Sequence, residues 1–351
     1  MNGLFALCAG LWSGLTRPSA GAVVGAALVA ALTLGLGVQA ADEDLLRSGR
    51  LATYPGDDYA FLAAVALGPT PPPGAVVVLG SSALREAISD PAALAGAAGA
   101  PGAALWTAGG LTHLELLALV ERLPPDPQRL TVLEVSERNL SLGLAEAQAL
   151  LDRPRLPLDG PTQDAAARQA GLRPPRRATA LALRHPTFFL ARLAALMPWH
   201  GMSRPLQHQV EAMAPARPGD FARWARRLAG WWADLPTESA RNVAVYVELV
   251  RALRARGGEV LLVAAPRNPR VLNDAEAMGP RGAAVAAQAR AAAASAAGVM
   301  VVDPAAELGL LPEDYADYAH LVRPTARARF TMAVGAALQR TAAGRAARGG
   351  R

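Results

Sequence analysis

The chain has 351 residues, a net charge of +6 and an apolar content of 52%, enough to bury a full core and to exclude disorder throughout. Every basic residue is arginine, and these are spread along the chain rather than gathered into a stripe with interleaved aromatics, so nucleic acid is not an expected partner. The single cysteine, Cys8, leaves no internal disulfide for the residues that follow it.

Residues 19–41 form an uncharged run of 23 rich in Ala, Val, Leu and Gly. At about 1.5 Å per residue, a helix of that length spans a hydrocarbon core of about 30 Å. Arg17 precedes the run and Asp42, Glu43 and Asp44 follow it, which puts the N-terminus in the cytoplasm and the remainder outside. Two readings stand. Residues 1–44 are a single-pass anchor in the inner (cytoplasmic) membrane, or a cleaved signal segment with Val38-Gln39-Ala40 as its small-residue site. Both export the body to the periplasmic side, and the anchor is the expectation carried forward. Cys8 does not serve as a lipid-attachment site, since Phe5 and Leu7 depart from the small residues such a site requires.

After a Pro-rich linker at 68–74, five short apolar runs predict buried strands at 75–79, 103–107, 130–135, 260–265 and 299–302. Helical patterns separate them, at 114–123, at 243–256 ending on Gly257-Gly258, and at 283–297 ending on Gly298. A last helix covers 325–339. Strand and helix in alternation predict an α/β fold, with one parallel sheet covered on both faces in three layers, built from 73–140 and 240–340. Between these halves, 141–239 reads as a mostly helical insertion. In it Phe221, Trp224, Leu228, Trp231 and Leu235 share one helical face, which is either a core face or an aromatic platform for a sugar or the membrane interface. The basic tail at 341–351 is expected to be disordered.

In an open parallel sheet, ligands sit at the carboxyl ends of the strands. The stretch VVVLGSSALREA (76–87) places two serines there. Ser81 suits a helix cap. Ser82 suits a nucleophile, because a tight strand-to-helix turn lifts the hydroxyl above the sheet edge and turns the backbone N–H toward an oxyanion. DYADYAHLVRPTARARF (314–330) supplies what a serine needs, since Asp317 stands three residues before His320 in the loop after strand five. Alone, that motif also fits a solvated loop histidine. In this slot, Ser82, His320 and Asp317 fill the roles of nucleophile, base and orienting carboxylate. Other chemistries fit less well. Histidines 113, 185, 200, 208 and 320 are too scattered for a metal site, and no metal or cofactor is expected. Glu134 and Glu137 do not make a glycosidase pair, because their spacing in and after a strand sends them to opposite faces. No phosphate-binding glycine loop is present.

Together these residues resemble the SGNH (GDSL-like) hydrolase superfamily. Gly80-Ser81-Ser82 takes its nucleophile block with Ser81 in place of the family's Asp. Gly109 or Gly110 in LWTAGGLTHLE takes the oxyanion glycine, Asn139 in LEVSERNL the oxyanion Asn without the usual Gly-x-Asn-Asp, and Asp317 and His320 the last block. The resemblance implies a flavodoxin-like fold and an oxyanion hole of Ser82, Gly109 or Gly110, and Asn139. The Gly-Ser-Ser variant behind an anchor is similar to the subset that acylates bacterial envelope polymers, the D-alanyl transfer proteins of teichoic acid and the alginate O-acetylation proteins. It implies an acyl donor, an envelope polysaccharide and a multispanning membrane O-acyltransferase as partners. A plain periplasmic esterase or deacetylase, and a non-catalytic glycan-binding scaffold with a decayed site, are the alternatives.

Overall fold

The structure, a computed structural model, describes residues 21, 23–33, 62, 65–66, 70–152, 156, 158, 160–174 and 217–349. Strands form at Val76–Ser81 (β1), Ala103–Ala108 (β2), Leu130–Val135 (β3), Glu259–Ala264 (β4) and Met300–Val302 (β5). All pair in parallel, in the order β2-β1-β3-β4-β5. Helices α1 (Ser82–Ala87) and α2 (Pro91–Ala98) follow β1, and α3 (His113–Val120) follows β2. Between β3 and β4 come α4 (Glu137–Leu140), α5 (Leu144–Asp152), α6 (Pro161–Gln169) and α7 (Pro218–Ala255). The chain then runs through α8 (Pro269–Met278), α9 (Gly282–Ala297), α10 (Pro304–Glu307) and α11 (Pro324–Gly349).

The strands are near-continuous apolar runs because both of their faces are buried. Successive side chains alternate between two layers. Val77, Leu79, Leu133, Val135 and Leu262 pack with Leu116, Leu117, Tyr246 and Leu249 of α3 and α7. Val76, Val78, Val132, Leu261 and Val263 pack with Leu84, Leu94, Phe330 and Val334 of α1, α2 and α11. The chain leaves β1 outward to β2 and returns across it to β3. That reversal opens a crevice at the carboxyl ends of β1 and β3, where a doubly wound sheet takes its ligands.

Two regions differ from the expectation. The division at 239/240 is crossed by a single helix, since α7 runs 38 residues through Pro236. Proline removes an N–H and costs roughly 3 kcal/mol inside a helix. Here it sits on the exposed side, while buried Leu228, Trp232 and Leu235 before it and Val245, Tyr246 and Leu249 after it hold both halves to the same layer. The helix stops where Gly257 takes φ +94°, with Pro127 backbone atoms 2.8 Å from where a Cβ would stand. In the second region, α11 continues through residues 341–349, where a disordered tail was expected, as its Ala- and Arg-rich composition favours. The N-terminus is described only in part. Residues 23–33 are helical, with Val23, Val24, Leu28, Val29 and Leu32 exposed. Among the described residues no helix is long and apolar enough to cross a membrane. The remainder of the expected span lies outside the described residues, as do Cys8 and histidines 185, 200 and 208.

Candidate active site

β1 ends in Gly80-Ser81, and Ser81 caps α1 by accepting a hydrogen bond from the Ala83 N–H at 3.2 Å. Ser82 is thus the first helical residue, half-buried at the carboxyl edge of the sheet. The turn is held from below by Glu134 of β3. Its carboxyl accepts from the Ser81 N–H at 2.7 Å and lies 2.8 and 3.0 Å from the Ser81 hydroxyl. Gly80 leaves the room: a Cβ there would stand 2.8 Å from both Cβ and Oε2 of Glu134.

The other half of the site is the loop before α11, closed by a bridge between Tyr315 and Leu321 and by the Ala316 N–H donating to the His320 carbonyl at 2.9 Å. Asp317 Oδ1 accepts from the backbone N–H groups of Ala319 and His320, both at 2.9 Å, and Oδ2 lies 2.7 Å from His320 Nδ1. Burial opposes ionisation of Asp317. The His320 ring and the two N–H groups outweigh it and hold the carboxyl below the ordinary aspartate range. An ionised carboxylate only accepts, so Nδ1 carries the imidazole proton and Nε2 presents a lone pair. Nε2 lies 2.9 Å from Ser82 Oγ. The structure therefore brings Ser82, His320 and Asp317 into one hydrogen-bonded line.

Asn139 is not in that line. It stands in the four-residue helix α4, buried, its amide donating to the Tyr246 hydroxyl of α7 at 3.4 Å. It makes no hydrogen bond with Ser82, His320 or Asp317. One residue of helix turns a side chain by about 100°, so it is the neighbouring Arg138 that faces the loop after β2, donating from Nη1 to the Gly110 carbonyl at 2.9 Å.

Two positioning residues escape sequence reading. Glu134 is one. The other is Asn268, whose N–H donates to the Tyr318 carbonyl at 2.8 Å while its amide donates to the Asp317 carbonyl at 3.0 Å. Asn-Pro at the head of α8 marks a helix start, but its grip on a loop 49 residues away carries no local signal.

Tyr318 lies edge-on to His320, with ring centroids 5.8 Å apart, and stacks on Trp224 of α7. The expected aromatic face divides accordingly: Leu228 and Leu235 are buried core, whereas Phe221, Trp224 and Trp231 stay half-buried. The Arg227 guanidinium lies over Trp224 and Trp231, 5.1 and 5.4 Å from their centroids.

Glu137 is buried against Arg267 and Arg290. Burial opposes its charge, and Arg267 and Arg290 overcome that and hold its carboxyl low. A cavity of about 390 Å³ is lined by Glu137, Trp232, Arg267, Arg290 and Asp303, and the triad does not line it. Its arginines are matched by its acids, so it offers a ligand little net charge. His113 is a core residue, with burial lowering its pKa to about 3. Its Nε2–H donates to Asn242 Oδ1 at 3.0 Å, because the Asn242 amide nitrogen already donates to the carbonyls of Leu140 and Leu142. Among the described residues no three His, Cys, Asp or Glu side chains converge as metal ligands.

The Glu134 buttress has a measurable signature. Burial raises its carboxyl pKa, against the opposing Ser81 hydrogen bonds. The folded protein then keeps a proton that the unfolded chain releases near pH 4.3, so this group's contribution to stability is present below about pH 4.3 and is lost as pH rises toward the folded value. Glu134→Gln keeps an acceptor for the Ser81 N–H and does not titrate. Urea unfolding between about pH 4 and 7 is expected to show the variant gaining stability relative to the parent as pH rises. Parallel profiles would contradict the raised carboxyl.

Compared with known proteins, the chain matches no family model and no curated protein.

Proposed function

We propose that the protein is a serine acyl-transfer enzyme built on a doubly wound sheet, with Ser82 as nucleophile, His320 as general base and acid, and Asp317 as the carboxylate that orients it. More particularly, the resemblance of Gly80-Ser81-Ser82 and Asp317-x-x-His320 to the SGNH hydrolases favours an exported, membrane-anchored acyltransferase or esterase. Its substrate on this reading is the O-acyl group of a cell-envelope polysaccharide, handled beside a multispanning membrane acyltransferase. The observation that carries the reading is the 2.9 Å approach of His320 Nε2 to Ser82 Oγ, across 238 residues of chain. The exposed apolar side chains of residues 23–32 favour the anchor.

In the first half-reaction Ser82 Oγ bonds to the acyl carbonyl carbon, its proton passes to His320 Nε2, and the carbonyl π pair moves onto oxygen. The backbone N–H groups of Ser82 and of Gly109 or Gly110 face that oxyanion, each worth about 3 kcal/mol of barrier. Collapse expels the leaving alkoxide or thiolate, which takes the proton from His320. In the second half a sugar hydroxyl or water gives its proton to His320 and attacks the acyl-serine, and His320 returns that proton to Ser82 Oγ as the acyl–oxygen bond breaks.

The test is mass spectrometry after incubation with a fluorophosphonate, which bonds to an activated serine. An adduct on the Ser82 peptide, absent in Ser82→Ala, is expected. Failure to label Ser82 overturns the reading. Rapid turnover of 4-nitrophenyl acetate in water, unchanged by added oligosaccharide, would place the enzyme with the plain esterases.

A further inference from the structure

The loop after β2 and the loop after β3 are joined across the end of the strand that lies between them. Gly110 stands two residues past β2, Arg138 three past β3, and β1 separates the two strands in the sheet. Neighbouring strands lie about 4.8 Å apart, so β2 and β3 are separated by about 10 Å. A guanidinium that starts at the end of β3 and donates to the Gly110 carbonyl must therefore cross the carboxyl end of β1. The residue that continues β1 is Ser82.

Three further observations shape that bridge. Gly110 has φ +65°, and a Cβ there would stand 2.3 Å from Arg138 Nη1, so a glycine admits the guanidinium. Arg138 also acts electrostatically on the Tyr318 hydroxyl, and Tyr318 lies against His320. The charge is thus felt at the aromatic residue that packs on the base. Among the described residues no carboxylate pairs with it: Glu137 beside it turns to Arg267 and Arg290, and the buried Arg138 Nε has no partner. A half-buried guanidinium fixed by a neutral carbonyl keeps its full charge for an incoming anion.

We infer that Arg138 is a further catalytic residue, a permanently charged donor for the oxyanion that forms when Ser82 attacks an acyl carbonyl. This rests on the proposed role of Ser82. The role that sequence reasoning gave to the Asn139 amide passes to the preceding side chain. The guanidinium acts where negative charge develops, and the geometry that holds it is already in place before reaction.

The experiment compares the parent with Arg138→Gln, Arg138→Ala and Arg138→Lys, using neutral 4-nitrophenyl acetate and the negatively charged 4-nitrophenyl hemisuccinate. Arg138→Gln is expected to lower kcat by about 10²–10³-fold with both esters, as loss of an oxyanion donor does, and to leave KM within about threefold. Arg138→Ala is expected to regain at least about tenfold with millimolar guanidinium ion, which a merely structural residue would not do. Arg138→Lys keeps the stem and charge without the planar fork, guards against misfolding, and is expected to fall between parent and Gln variant. If the parent fails to form a fluorophosphonate adduct on Ser82, the acyl-transfer reading fails and this inference with it. If the parent labels but Arg138→Gln stays within threefold in kcat, or guanidinium rescues nothing, only the role of Arg138 is overturned. A loss confined to the anionic ester and seen as raised KM would make Arg138 a substrate anchor and would equally overturn it.

Discussion

Replacing His320 by glutamine is expected to lower kcat/KM for 4-nitrophenyl acetate by roughly 10⁴–10⁶-fold, or about 5–8 kcal/mol of barrier. Glutamine can reach toward both Asp317 and Ser82, so the variant keeps much of the packing at this mostly buried position. It has no lone pair basic enough to take the serine proton. Attack then waits for the small fraction of serine already ionised, and the residual rate is expected to climb in proportion to hydroxide. Fluorophosphonate labelling should slow in step, because it draws on the same activated hydroxyl. Activity within tenfold of the parent in a variant with unchanged thermal unfolding would remove His320 from the mechanism. The activated-serine reading would then fall with it.

What could be read from the chain alone divides along a physical line. The strands were legible because a strand buried on both faces must be apolar throughout, and β3 was expected over the residues it occupies. Ser82 and the Asp317–His320 pair were legible for a different reason. Each sits at a punctuation point, a glycine turn or a loop before a helix, and the parallel topology sends both to the same sheet edge. The continuity of α7 was not legible, because Pro236 is a local stop and only tertiary burial of Trp232 and Tyr246 overrides it. Nor was the direction of the side chains in α4, where one step of rotation in a four-residue helix sends Arg138 to the Gly110 carbonyl and Asn139 to Tyr246, while the resemblance alone had implied the Asn139 amide for the oxyanion hole. Glu134 was set aside because its spacing in a strand points it and Glu137 to opposite faces. Its use became visible only when Ser81, 53 residues away, came to rest above it.

Asparagine in place of Asp317 is expected to lower kcat about 10⁴-fold with little change in KM, although it differs from aspartate by one group. The backbone decides which way the amide turns. Oδ1 of Asp317 accepts from the N–H groups of Ala319 and His320, and an asparagine keeps those bonds only by leaving its oxygen there. Its NH₂ then faces His320 Nδ1 and donates to it, which drives the imidazole proton onto Nε2. Two donors, Nε2–H and Ser82 Oγ–H, would meet where the parent has a donor and an acceptor, and the serine proton has nowhere to go. Stability separates this from a loss of fold. The Asp317 carboxyl is held below its ordinary range in the folded protein, against the cost of its burial. It therefore contributes stability that is present above the unfolded value near pH 3.9 and lost as pH falls through the folded one. The asparagine variant lacks that contribution at neutral pH and has none to lose in acid. Urea unfolding at pH 7 and at about pH 3 is expected to show the gap between variant and parent closing toward the acid end, while the kcat deficit with 4-nitrophenyl acetate stands at pH 7. A variant that turns over within tenfold of the parent would mean that the tautomer of His320 is set by something other than this carboxylate.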